Sequence, residues 1–162
     1  MVERLPAKTE VEPKALSCYG VLLVGGAAER ARRREMLLRF VEGRPLSSVT
    51  TAFLAWVCQE LEQRGKRVWC LVWDNAPWHV SQEVRHWIAQ HNRRVKQEGG
   101  VRILTCYLPA KSPWLNPIEP TWLHGKRAIV EADGPLSAEE VIERVCAHYG
   151  CKRLPSLVNK TP

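Results

Sequence analysis

The sequence predicts a single α/β domain built on a mixed sheet flanked by helices, and three observations support this. Apolar runs rich in β-formers recur at 15–24, 36–41, Val68–Trp73 and 101–108. Between and after them lie stretches with apolar residues at helical spacing, each preceded by a Ser or Asn able to cap a helix. The chain has 162 residues, of which 45% are hydrophobic, enough for one real core and not comfortably for two.

Each element has its own warrant. Residues 1–14 are polar, carry Pro6 and Pro13, and read as an irregular leader. The runs 15–24 and 36–41 flank a turn carrying Arg30, Arg32, Arg33 and Arg34, and are expected to pair as an antiparallel hairpin. Gly43 and Pro45 break the chain, and Ser47 or Ser48 is expected to cap a helix over 49–64. On that helix Phe53, Trp56, Val57 and Leu61 keep helical spacing, and Gly65 ends it. Val68–Trp73 is apolar throughout, which predicts a strand buried on both faces.

Residues 81–98 form the next helix, with Val84, Trp87, Ile88 and Val95 on one side and His86 and His91 on the polar face. A strand over 101–108 follows, then a loop and a helix running to about Val130, with a break at 133–135. Ser137 and Glu140 form a capping-box pattern opening a last helix to about Tyr149. From 151 the tail is basic and is expected to be loose. The order is strand, strand, helix, strand, helix, strand, helix, helix.

Composition narrows the function. No apolar run approaches the roughly 20 residues needed to span a bilayer, and the start, MVERLPAKTE, has no signal-peptide core. The six cysteines are scattered without a CxxC pair, which argues against a disulfide framework or zinc site; Cys146, His148 and Cys151 read as a reduced helix end. A reducing cytoplasm is expected. The net charge of +7 and pI near 9.3 suit a partner with a phosphate backbone, although many basic proteins bind no nucleic acid.

Two stretches carry chemistry. In the first, Val68–Trp73 runs into Asp74, Asn75, Ala76, Pro77, Trp78 and His79 (WDNAPWH), placing an acid at the carboxyl end of a strand, where open α/β sheets bind ligands. The second, LPAKSPWLNPIEPTWLHGK, places Glu119 three residues after the potential cap Asn116, with Lys126 on the same helix face. Turn and cap chemistry alone would account for either stretch. Asp74 and Asn75 could simply make the turn, and Glu119 could close a capping box on Asn116. Trp114 and Trp122 read as core packing rather than as platforms for bases.

Together and in this order, the two stretches resemble the second and third catalytic motifs of the DDE-superfamily transposases, in the bacterial insertion-sequence group related to the mariner elements. The resemblance covers about 15–149. It implies a ribonuclease-H-like fold, with Asp74 and Glu119 as catalytic ligands of Mg²⁺ or Mn²⁺. It also implies Lys111, Lys126 and Arg127 as phosphate contacts, and Asn75, His79 and Asn116 as active-site neighbours. The implied partner is DNA, both transposon ends and target, and the implied reaction is phosphodiester cleavage and strand transfer.

The family pattern also requires an Asp on a first, central strand, and no position here fits. The run 15–24 contains no acid; Glu3, Glu10 and Glu12 lie in the leader and Glu29 in a turn. The helix-turn-helix DNA-reading region is absent too. The sequence therefore looks like the C-terminal part of a catalytic domain (15–150, between the leader and a 151–162 tail) with two of three acidic ligands. An upstream fragment or a homo-oligomer would complete it. The alternative is a catalytically inactive DNA-binding or regulatory remnant.

Overall fold

A computed structural model describes residues 15–25, 34–130 and 136–157. The leader, most of the arginine turn including Glu29, the break at 133–135 and the last five residues lie outside them.

Strands β1 (Leu16–Val24) and β2 (Arg34–Glu42) pair antiparallel with Gly20 opposite Leu38, so the expected hairpin is present. Helix α1 (Ser47–Gln63) leads to β3 (Val68–Trp73), and a single turn α2 (Pro77–Val80) precedes α3 (Gln82–Glu98). Strand β4 (Arg102–Tyr107) pairs parallel with β3, Leu71 opposite Thr105. A 3₁₀ turn (Pro113–Leu115) leads to α4 (Ile118–Val130), and α5 (Ala138–Tyr149) follows. The expected single mixed sheet is instead two two-stranded sheets, β1–β2 and β3–β4, with no strand among the described residues joining them.

Two cores explain how the pieces hold. In the first, Phe53, Leu54 and Val57 of α1 meet Tyr19 of β1, Trp69 and Leu71 of β3, and Val84 and Ile88 of α3. In the second, Leu38 and Phe40 of β2 meet Ile118 and Ile129 of α4 and Val145 of α5. Helix α1 is thus the floor under both sheets, while α4 and α5 cover the far face of the hairpin.

Several expectations fail locally. Strand β3 alternates rather than being buried on both faces: Trp69, Leu71 and Trp73 point into the core, while Val68 is 56% and Val72 42% exposed. The buried side faces α1 and α3, and nothing among the described residues covers the other. Neither Ser47 nor Ser48 caps α1, which begins after Leu46 with no side-chain cap. Its first turn is tied instead to β1, because the Leu46 N–H donates to Tyr19 Oη at 3.0 Å.

His91 is buried rather than polar-face, with Nε2 2.8 Å from the Val101 carbonyl and its ring stacked on Trp87. Trp114 is 71% exposed, not packed. The described part of the tail is anchored: Cys151 Sγ donates to the Met36 carbonyl, Arg39 donates to the Pro155 carbonyl, and Leu157 packs on the first core.

The second core makes a stability prediction. Gly125 faces Tyr149, whose hydroxyl donates to the Thr121 carbonyl at 2.8 Å, and a Cβ at 125 would run into that ring. Gly125→Ala should cost about 1–3 kcal/mol through overpacking, read by urea unfolding.

A second prediction concerns pH. The Ser137 N–H and hydroxyl both donate to Glu140 Oε2, holding its carboxyl below the ordinary glutamate range. A depressed carboxyl stabilises above its unfolded value, and that contribution is lost as pH falls through the folded one. The protection factors of amides at the start of α5, exchange rates taken relative to the intrinsic rate at each pH, should therefore fall on acidification through and below the usual glutamate range, and Glu140→Gln should flatten the effect.

Candidate active site

Asp74 stands where β3 stops. The parallel ladder continues one bond further, with the Leu108 N–H donating to the Trp73 carbonyl at 3.0 Å, and the chain then turns. Asp74 Oδ1 accepts from the Ala76 N–H at 3.0 Å, the side-chain turn expected of an Asp here, and also from the His79 Nδ1–H at 2.7 Å. His79 is held by its ring, stacked on Trp73 with centroids 4.8 Å apart, and Trp73 stacks in turn on Tyr107. Both donors engage one oxygen of Asp74. Oδ2 has no hydrogen-bond partner among the described residues, and the side chain is 43% exposed. Asn75 plays another part: its Nδ2 donates to the Leu108 carbonyl at 2.7 Å, fastening the loop after β3 to the loop after β4.

Glu119 sits in the first turn of α4. Asn116 begins that turn, its carbonyl accepting from the Glu119 N–H at 3.1 Å and its Oδ1 from the Ile118 N–H at 3.4 Å. The Glu119 carboxylate makes no hydrogen bond or ion pair among the described residues. The comparison with α5 is decisive, because there the same signature closes: Ser137 and Glu140 satisfy each other reciprocally. At Asn116 the box stays open, so capping does not account for Glu119.

Both acids line one cavity of about 1660 Å³, together with His79, Asn116 and Trp122. Asn75, Lys111, Lys126 and Arg127 are not in its wall; all four are exposed, and Lys111 adopts the left-handed backbone region at φ 58°. Sequence reasoning missed the aromatic stack that positions His79, although Trp73 and His79 flank the motif it had singled out. It also missed the exposure of Trp114 and Leu115 just before α4.

The donor set can be weighed against a hard divalent cation. Asp74 Oδ2 and the Glu119 carboxylate are unencumbered oxygen donors, the kind Mg²⁺ and Mn²⁺ prefer, and Mg²⁺ is commonly held by one or two carboxylates plus substrate phosphates. They fit in kind. In number they are few: no group of three or more His, Cys, Asp or Glu residues able to hold a metal occurs among the described residues.

A parallel strand pair ending in an acid and a second acid at a helix start thus border one cavity of an α/β domain. The family model described as DDE superfamily endonuclease matches residues 25–142, and the chain belongs to that superfamily. No curated protein and no solved structure matches it.

Proposed function

We propose that this chain is the catalytic part of a transposase of the bacterial insertion-sequence group related to the mariner elements, acting on DNA in the cytoplasm. Its reaction is metal-dependent cleavage of phosphodiesters at transposon ends followed by strand transfer. The observation that carries the reading is the open carboxylate of Glu119 facing the same cavity as Asp74. Support comes also from the superfamily match, the charge of +7, and the absence among the described residues of any helix long and apolar enough to cross a membrane.

Bound Mg²⁺ or Mn²⁺ would activate the attacking hydroxyl and stabilise the leaving oxygen of an in-line displacement. The protein's own contribution is to orient. His79 and the Ala76 N–H hold Oδ1 of Asp74, so the carboxylate is fixed while Oδ2 has no hydrogen-bond partner among the described residues. The start of α4 keeps Glu119 in place, its N–H donating to the Asn116 carbonyl. Lys111, Lys126 and Arg127 are point charges for the DNA backbone on either side of the scissile bond. Trp114, exposed in the 3₁₀ turn before α4, offers a stacking face to an unpaired base.

A second reading has its own support. With two acids and no third ligand among the described residues, the chain could be a DNA-binding remnant that no longer cleaves. Nicking of supercoiled DNA with and without Mg²⁺, in the presence of a partner segment, separates the two. Metal-dependent nicking lost in Asp74→Asn supports the transposase, and binding without nicking supports the remnant. On either reading, binding by this chain alone should be weak, indifferent to sequence and steeply salt-dependent. Titration against two unrelated duplexes at 50 and 200 mM salt, with Lys126→Ala reducing the slope by about one, checks this.

A further inference from the structure

We infer that Cys70 and Cys106 form one reactive dithiol, which hydrogen peroxide converts to a reversible cross-strand disulfide. The inference stands apart from the DNA chemistry proposed above and uses none of its residues. Sγ of Cys70 and Sγ of Cys106 lie 3.6 Å apart, within reach of an S–H···S hydrogen bond, and both residues are exposed. A covalent bridge needs the sulfurs about 2.0 Å apart, a gap of the size that side-chain rotation about χ1 closes.

The fold brings the two thiols together, since 36 positions separate them along the chain. In the parallel ladder Cys70 stands opposite Leu104 and Val72 opposite Cys106, so the thiols are diagonal neighbours on one face. It is the outer face of the pair. Val68, Cys70 and Val72 alternate along β3 with the buried Trp69, Leu71 and Trp73. Leu104 is exposed on the same side, and nothing among the described residues covers these side chains, so a small oxidant reaches both sulfurs.

Three of the other cysteines differ in kind. Cys58 is buried with its Sγ 3.7 Å from His91 Nε2, and burial pushes its thiol up to about 12. Cys146 is buried, and Cys151 Sγ donates to the Met36 carbonyl at 3.0 Å. Such thiols give little of the thiolate that attacks an oxidant. Within the pair, once one sulfur has lost its proton the remaining S–H donates to the thiolate and stabilises it. The same hydrogen bond, with Cys106, is the main cause holding the Cys70 thiol above its ordinary range.

The reaction balances with peroxide as the oxidant. One thiolate attacks a peroxide oxygen, the O–O bond breaks, and the departing hydroxide takes up the thiol proton as water, leaving a sulfenic acid. The second sulfur attacks the first, the S–O bond breaks, and a second water leaves as the S–S bond forms. The two thiols lose two electrons and two protons, and the peroxide is reduced to two waters. A bridge closed on a diagonal and open to solvent is readily reduced, so small thiols reverse it. It braces the ladder just before the loop of Asp74, where Leu108, two residues beyond Cys106, donates to the Trp73 carbonyl.

The test treats the full native chain with a small excess of hydrogen peroxide, blocks the remaining thiols with iodoacetamide and maps peptides without reduction. A linked Cys70–Cys106 peptide should accumulate at least about tenfold faster than any other cysteine pair, and dithiothreitol should restore both thiols. The same treatment in urea should abolish that preference, because pairing then follows chain separation instead of the ladder. In Cys70→Ser and in Cys106→Ser, dimedone should trap the cysteine that is left as a sulfenic acid, with no internal bridge. Equal yields in native buffer and in urea overturn the inference. So do native bridging through Cys18, a bond joining two chains through Cys70 or Cys106, or conversion of either sulfur to sulfinic acid ahead of the bridge.

Discussion

Glu119→Gln is expected to lower Mg²⁺-dependent DNA cleavage about 10²–10³-fold, the scale seen when a single group stabilising transition-state charge is removed. The same change should alter folding stability by less than about 0.5 kcal/mol, because the carboxylate has no partner among the described residues. These two numbers discriminate between readings. Glutamine closes a capping box as glutamate does, so on the capping reading both stability and cleavage survive the change, whereas a lost metal ligand removes cleavage alone. Asp74→Asn should match it in activity yet cost somewhat more stability, since Oδ1 carries the bonds from Ala76 and His79. Cleavage assays, paired with denaturant unfolding of each variant, give both quantities.

The largest expected effect on stability lies in α1. Leu54 is 2% exposed and sits on the one helix that underlies both sheets. Truncation to Ala should cost about 2–5 kcal/mol, the range for buried leucines, against a typical total of about 5–15 kcal/mol. No ladder joins β1 to β3 among the described residues, so the two sheets depend on this apolar floor to stay in register. Leu54→Ala should therefore also broaden the unfolding transition, with β1–β2 and β3–β4 exchanging at different rates. A single sharp transition with a loss below about 1 kcal/mol would mean the sheets are coupled by something other than α1.

Much of this architecture is legible in the residues, because periodicity reports directly on which side chains must leave water. The hairpin, the helices and the strand ending at Asp74 all follow from it. What periodicity cannot report is what lies on the other side of an element. Val68–Trp73 reads as a strand buried on both faces because every residue is apolar, yet among the described residues only its α1 side is covered. His91 looks polar-face by spacing, and becomes interior because the Val101 carbonyl offers it a partner. The cap of α1 is illegible for a similar reason: the group that meets Leu46 is a tyrosine hydroxyl 27 residues upstream, not a neighbouring serine.

The two acids show the same limit from the other direction. Asn116 with Glu119 and Ser137 with Glu140 are equivalent as sequence, three residues apart in each case. Only three-dimensional placement distinguishes the pair that closes on itself from the one left open toward a cavity. Lys111, Lys126 and Arg127 stand outside the cavity wall, so any role for them lies along the flanking DNA rather than at the reacting phosphate.

The central claim is that Asp74 and Glu119 together hold the catalytic metal. Its most direct test is Mn²⁺ titration followed by paramagnetic broadening of backbone amide signals. Broadening should centre on the residues around Asp74 and Glu119, reach His79 and Asn116, and fall away in both Asp74→Asn and Glu119→Gln. Broadening centred elsewhere, or unchanged by either substitution, would contradict the account.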